Sequence, residues 1–218
     1  MKKPKIFIAV DTTDIKKVKK IIAQSQSNKI KIGYKFGLEF MNSKKGRQFV
    51  SRLKNKIVFI DLKLNDTVNT MLSAVKALKD LKINYLTVHI SSGLAALKAV
   101  KKVSRCKIVG VSTLTSLNNK DLKTIGYNRS VKNLVAHQAK LASKARLDAL
   151  VCSPYEVNIV RKIFKKEIIT PGVQIGKKNY DQKRSMEAKK VNSDWLVIGR
   201  SVTRGNIKNN IQKLIKSL

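Results

Sequence analysis

Asp61, Lys63 and Asp66 follow directly on the apolar run Ile57-Val58-Phe59-Ile60. A run of β-branched and aromatic residues that ends in charge reads as a buried strand emerging into a site. Side chains alternate along a strand, so Asp61 and Lys63 are expected on the same side of it. Asp66 falls three residues later, where Asn65 and Thr67 mark the strand's end. Two carboxylates around one ammonium keep that ammonium charged and oriented, an arrangement for chemistry on a charged substrate.

The elements that must position these residues repeat along the whole chain. Short apolar runs over 5–10, 29–33, 57–61, 85–89, 107–112, 149–152, 167–170 and 195–199 alternate with helical patterns over 14–23, 44–53, 68–81, 94–103, 131–146, 155–164, 183–190 and 207–217. Asp14 and Ser153 read as helix N-caps. Eight β-then-α units, with no linker or break in composition, predict an α/β fold: a (β/α)8 TIM barrel forming one domain over residues 1–218. Active sites of such barrels lie at the C-terminal ends of the strands. Asp11, Lys31, Asp61 with Lys63, His89, Thr115, Pro171-Gly172 and Gly199-Arg200 each close or closely follow an apolar run, so charge is expected to gather at that one end. Val197-Ile198-Gly199-Arg200-Ser201 adds a strand that stops at Gly and presents a guanidinium where the next helix begins, which suits a phosphate dianion.

Composition narrows the function classes. The 218 residues carry 47 Lys and Arg against 13 Asp and Glu, a formal net charge of +34. Lysine is spread along the sequence, mostly on the polar side of helical patterns, and is enriched together with Ile and Asn. Arginine does not cluster, and aromatics are 6% of residues, too few for a base-stacking platform. The expectation is therefore no nucleic-acid partner, with the charge steering an anionic substrate instead. No run of about 20 uncharged apolar residues exists to span a membrane. Met1-Lys2-Lys3-Pro4 runs straight into the first strand and leaves no room for a secretory signal, so a cytoplasmic location is expected. Cys106 and Cys152 lack C-x-x-C spacing and read as reduced core thiols.

The ordered motifs Ala9-Val10-Asp11, Lys31-Ile32-Gly33, Asp61-x-Lys63-x-x-Asp66 with Asn69-Thr70, Val88-His89, Leu114-Thr115-Ser116, Thr170-Pro171-Gly172-Val173, Asp181-Gln182 and Ile198-Gly199-Arg200-Ser201 resemble those of the orotidine 5′-monophosphate decarboxylases over nearly the whole chain. The resemblance implies decarboxylation of orotidine 5′-monophosphate (OMP) to UMP without metal or organic cofactor, in a homodimer whose sites are shared between subunits. It implies Lys63 as the proton donor to C6 and Asp61 beside the substrate carboxylate. Lys31 would bridge the ribose and the aspartates. Asp66 and Thr70 would come from the partner. Asp11 would bind ribose, Thr115 the pyrimidine edge, and Gln182, Gly199 and Arg200 the phosphate. Gln174 stands where many bacterial members carry a phosphate-binding Arg, and Thr67-Val68 where the family commonly reads Ile-Pro. Relatives also often carry an acidic residue second after the Gly of the Lys-x-Gly motif, where this chain has Lys35. Two alternatives stay open: a Mg²⁺-dependent sugar-phosphate decarboxylase or aldolase of the same superfamily, which would need a Glu at the Lys31 position, and a basic nucleic-acid-binding protein.

Overall fold

The computed structural model describes residues 5–174, 186–187 and 190–218. Its strands are β1 (Lys5–Val10), β2 (Ile32–Gly37), β3 (Ile57–Leu64), β4 (Tyr85–His89), β5 (Lys107–Val111), β6 (Ala149–Val151), β7 (Glu167–Thr170), β8 (Val173–Gln174), β9 (Met186–Glu187) and β10 (Trp195–Ile198). All but β8 and β9 form a closed parallel barrel, in which β10 completes the ring between β7 and β1. The expected eight-stranded barrel is thus the observed fold. β8 and β9 pair with each other outside it, so Met186–Glu187 is a short strand where a helix over 183–190 was expected.

Helices alternate with the strands: α1 (Ile15–Gln24), α2 (Leu38–Met41), α3 (Gly46–Ser51), α4 (Val68–Ala77), α5 (Gly93–Val103), α6 (Asn119–Thr124), α7 (Val131–Lys144), α8 (Val157–Ile163), α9 (Arg200–Thr203) and α10 (Ile207–Ser217). The amphipathic logic is plain in α1, which buries Val18, Ile21 and Ile22 while Lys16, Lys17, Lys19 and Lys20 are exposed. Asp14 caps it, accepting from the backbone N–H of Lys16 and Lys17 at 2.8 and 3.3 Å. Ser153 is not a cap. The N-cap of α8 is Glu156, and the Ser153 hydroxyl donates to the Glu156 carboxylate.

Two apolar layers result. One lies between strands and helices; the other fills the barrel's interior with Phe7, Phe59, Tyr85, Val109, Ile169, Trp195 and their neighbours. Phe7 is the hub of the inner layer, stacked on Trp195 at 4.0 Å between centroids and tilted against Phe59 at 4.9 Å. A Cβ on Gly33 would come within 2.6 Å of the Phe7 ring, so only glycine fits beside it.

Below this aromatic layer lies a feature that the sequence reading did not anticipate. Charge was expected at one end of the barrel only, yet Glu167 at the N-terminal end accepts from Tyr85 Oη (2.9 Å) and from the ammonium groups of Lys107 (2.9 Å) and Lys5 (3.4 Å). The alternation of β4 and β7 aims these groups into the barrel, where burial demands that they pair. Burial and the neighbouring Glu167 carboxylate push Tyr85 up to about 12. Burial alone would raise Glu167, but hydrogen bonds from Lys107 and Tyr85 and the charges of Lys107 and Lys5 outweigh it and hold the carboxyl below its ordinary value.

Stability should therefore fall at both pH extremes. The Glu167 contribution is present above the ordinary carboxylate pKa and is lost as pH drops through the depressed one. The Tyr85 contribution is present below about 10 and is lost as pH rises towards about 12. Denaturant unfolding of Tyr85→Phe across this range should show a loss of about 1–2 kcal/mol near neutrality and a flattened alkaline limb. An alkaline limb as steep as that of the unaltered protein would refute the assignment.

Candidate active site

At the C-terminal end of the barrel, β3 and β4 fall out of register. Ile60 pairs with Leu86 and Leu64 with Val88, so Asp61, Leu62 and Lys63 together face the single residue Thr87. Such bulges re-aim side chains next to active sites. Lys63 takes a left-handed backbone (φ 50°), a conformation that costs about 1–3 kcal/mol for a residue with a side chain. Its backbone N–H donates to Thr87 Oγ1 at 2.8 Å, and the Thr87 hydroxyl donates in turn to Asp61 Oδ1 at 3.0 Å. Asp61 and Lys63 do meet, with Lys63 Nζ 2.9 Å from Asp61 Oδ2. Simple alternation is not the reason: the bulge brings them together. Thr87, fully buried, is a site residue that the sequence reading missed.

The second ammonium on Asp61 belongs to Lys35, whose Nζ lies 3.2 Å from Asp61 Oδ2 and 3.9 Å from Asp11 Oδ1. This corrects the placement of Lys31. β2 begins at Ile32, not at residue 29, and pairs Phe7 with Gly33 and Ala9 with Lys35. Lys31 is exposed just before the strand, next to the N-terminal end of β1, with its carbonyl accepting from Ile6 N–H. The chain carries the Lys-x-Gly pattern twice, at 31–33 and at 35–37, and both lysines have the same parity along the strand. The barrel register selects the second. Gly33 makes room for Phe7, whereas Gly37 lies beside the ammonium, a Cβ there standing 3.7 Å from Lys35 Nζ. Glu39 is then the acidic residue second after the Gly that appeared to be missing.

Asp61 is 8% exposed. Burial pushes its carboxyl up, but the Lys35 and Lys63 charges and the hydrogen bonds from Lys63 and Thr87 outweigh it and hold the group below its ordinary value. His89, at the end of β4, is pushed down by burial and by Lys63, against the opposing pull of Asp61.

Lys35, Asp61 and Lys63 form one side of a cavity of about 300 Å³, which Thr87 and His89 do not line. Phe59, Val111, Val151 and Val197 give it an apolar floor, which suits a flat ring. Asp11, Thr115, Gly199 and Arg200 all line it, as anticipated, together with Pro171 and Gly172. Gly172 holds a left-handed φ of 75°. Cys152 lines the cavity too, rather than serving the core alone, and neither cysteine is in a disulfide. Asp66 and Thr70 do not line it. Asp66 is exposed and accepts from the Thr67 backbone N–H at 2.6 Å, while Thr70 shares a hydrogen bond with Thr67 at 3.1 Å. Gln182 and the side chain of Gln174 lie outside the described residues.

With this geometry in view, comparison with known proteins is decisive. The model of the orotidine 5′-phosphate decarboxylase / HUMPS family matches residues 4–212. The chain belongs to that family. A protein of Wolbachia from Brugia malayi named orotidine 5′-phosphate decarboxylase is 39% identical over 98% of each chain. One of the same name from Buchnera aphidicola is 37% identical over 97% of this chain and 93% of its own. Among solved structures, the orotidine 5′-phosphate decarboxylase of Lactobacillus acidophilus superposes with a TM-score of 0.83 at 25% identity, covering 99% of both chains. The Methanocaldococcus jannaschii enzyme complexed with the inhibitor BMP shares the fold at a TM-score of 0.79 and 21% identity.

Within this family member, Thr87 can be tested as the group that fixes Asp61. Thr87→Val keeps the shape but removes one hydrogen bond to a buried carboxylate and the acceptor for Lys63 N–H. The loss of about 1.5–3 kcal/mol should lower kcat about 10- to 100-fold. Steady-state kinetics with an unchanged kcat would exclude the role.

Proposed function

We propose that this chain converts orotidine 5′-monophosphate to UMP and CO2 in de novo pyrimidine biosynthesis. The observation that carries the reading is the Lys35–Asp61–Lys63 array over an apolar floor at the barrel mouth, in a chain of this family. The C6–carboxylate bond breaks, CO2 leaves, and its electron pair stays on a vinyl carbon with nothing to delocalise it. The protein must then stabilise that charge electrostatically. Lys63, kept charged by Asp61, is oriented before charge develops, and its ammonium delivers the proton to C6. An ion pair at about 4 Å is worth roughly 4 kcal/mol at an effective dielectric near 20, so one misplaced member costs orders of magnitude in rate.

Asp61 sits beside the departing carboxylate, Lys35 and Asp11 hold the ribose, and Thr115 reads the pyrimidine edge. Gly199 and Arg200 take the phosphate, joined by Gln174, the last residue of β8, and by Gln182 further along the sequence. Remote phosphate binding helps to close the site and align the base. A Mg²⁺ enzyme of the same superfamily needs an oxygen ligand where this chain presents the Lys35 ammonium, which cannot bind a hard cation. The protein works as a cytoplasmic homodimer, each site completed by Asp66 and Thr70 of the other copy. The exposure of residues 65–70 at the barrel mouth supports this reading.

The assay is the loss of OMP absorbance with EDTA present. Turnover should persist, Lys63→Ala should abolish it, and Lys35→Ala should lower kcat/KM by roughly 10²–10³. Lys31→Ala should match the unaltered protein; the reverse ranking of the two lysines would overturn the site. Mixing Lys63→Ala with Asp66→Asn should restore part of the activity through hybrid dimers that hold one intact site. No rescue at any mixing ratio would rule out shared sites.

A further inference from the structure

Besides the exposed lysines of the outer helices, the fold brings a set of cations together at the end opposite the cavity. Every loop leading from a helix into strands β2 to β7 carries cations at the N-terminal face. Lys29, Lys54, Lys82, Arg105, Arg146 and Lys166 supply one exposed residue for each of these six neighbouring strands. Acidic residues at that end are already engaged: Asp80 by Arg47, Asp148 by Lys101, Asp194 by Arg161, and Glu167 by Lys5 and Lys107. Among the described residues none of the six named cations makes an ion pair. By contrast, Asp11, Asp14, Glu39, Asp66, Asp121 and Glu156 lie in or beside the loops that follow strands, so at that end acids are interleaved with cations such as Lys35, Lys63, Lys120 and Lys123.

We propose that this N-terminal face binds the phosphate backbone of a nucleic acid, without reading its sequence, while the opposite end carries out catalysis. An arc of cations, one per strand, gains by releasing condensed counterions from a linear polyanion. Among the described residues, the exposed large apolar side chains Leu38, Val68, Leu114, Ile125, Tyr127 and Tyr155 all lie outside the six loops that carry these cations. Among the described residues these loops offer no exposed aromatic ring for stacking, so binding rests on phosphates. The same lack of apolar side chains weighs against a lipid surface, where stable attachment needs a second, hydrophobic signal. The even spread of lysine in the sequence, which argued against a nucleic-acid partner, conceals the loop cations because the fold alone brings them together.

The test compares two variants of equal charge: Lys29→Gln/Lys54→Gln/Lys82→Gln/Arg105→Gln on the face, and Lys98→Gln/Lys132→Gln/Lys140→Gln/Lys208→Gln on the outer helices. Both should keep OMP turnover, which certifies the fold. Binding of a fluorescein-labelled single-stranded DNA of mixed sequence, about 20 nucleotides long, is followed by anisotropy between about 50 and about 200 mM salt. The face variant should lose at least about tenfold in affinity and flatten the log–log salt slope by about 3, with the helix variant much closer to the unaltered protein. Equal losses in both variants, no binding at the lower salt, or attachment to phosphatidylglycerol vesicles without attachment to DNA would each overturn the proposal.

Discussion

A carboxylate taken out of water must be compensated where it stands, and Asp61 is the residue around which this barrel mouth is arranged. Its desolvation would cost several kcal/mol if left unanswered. Two ammonium groups, from adjacent strands, and the Thr87 hydroxyl answer it. The same contacts that make the carboxylate tolerable also freeze both lysines, so stability and readiness for chemistry come from one set of bonds. Preorganisation of this kind is what a reaction with no electron sink demands, because nothing needs to reorient when the carbanion forms.

The backbone serves the same constraint. A regular strand would leave no reason for Lys63 to adopt a left-handed conformation. The slipped pairing of β3 against β4 compresses three residues against one, and the Lys63 N–H, lost to the sheet ladder, finds Thr87 instead. Local strain is thus held in place by the surrounding β-barrel, which is rigid on either side of the bulge. The outer helices contribute by burying apolar faces such as Val18, Ile21 and Ile22, and the loops beyond the strands are left to carry the remaining ligands.

Much of this was legible in the sequence, for identifiable reasons. Eight alternating apolar and amphipathic segments define the barrel, and Asp61 and Lys63 after a buried apolar run mark the end that holds the cavity. Lys31 and Lys35 were not separable by pattern, since both begin a Lys-x-Gly unit and their spacing of four gives them the same parity in the sequence. Only the pairing of Gly33 with the bulky Phe7 fixes which unit reaches the mouth. The glutamate after the second unit was a usable signal. Thr87 carried none: a threonine inside a strand is ordinary until a bulge opposite gives its hydroxyl two partners. The Tyr85–Glu167–Lys107 cluster was hidden for a related reason, since its members are distant in sequence and meet only when the sheet closes.

The stacked rings of Phe7, Phe59, Tyr85 and Trp195 have one more bearing on turnover. They fill the barrel's interior beneath the cavity. A gas molecule released over that floor and the nucleotide it came from would both leave on the C-terminal side of the barrel. The smaller product can slip past a ligand still seated by its phosphate, whereas the larger one cannot leave until that grip is undone. With that floor closed, a nucleotide held by its phosphate would follow carbon dioxide out.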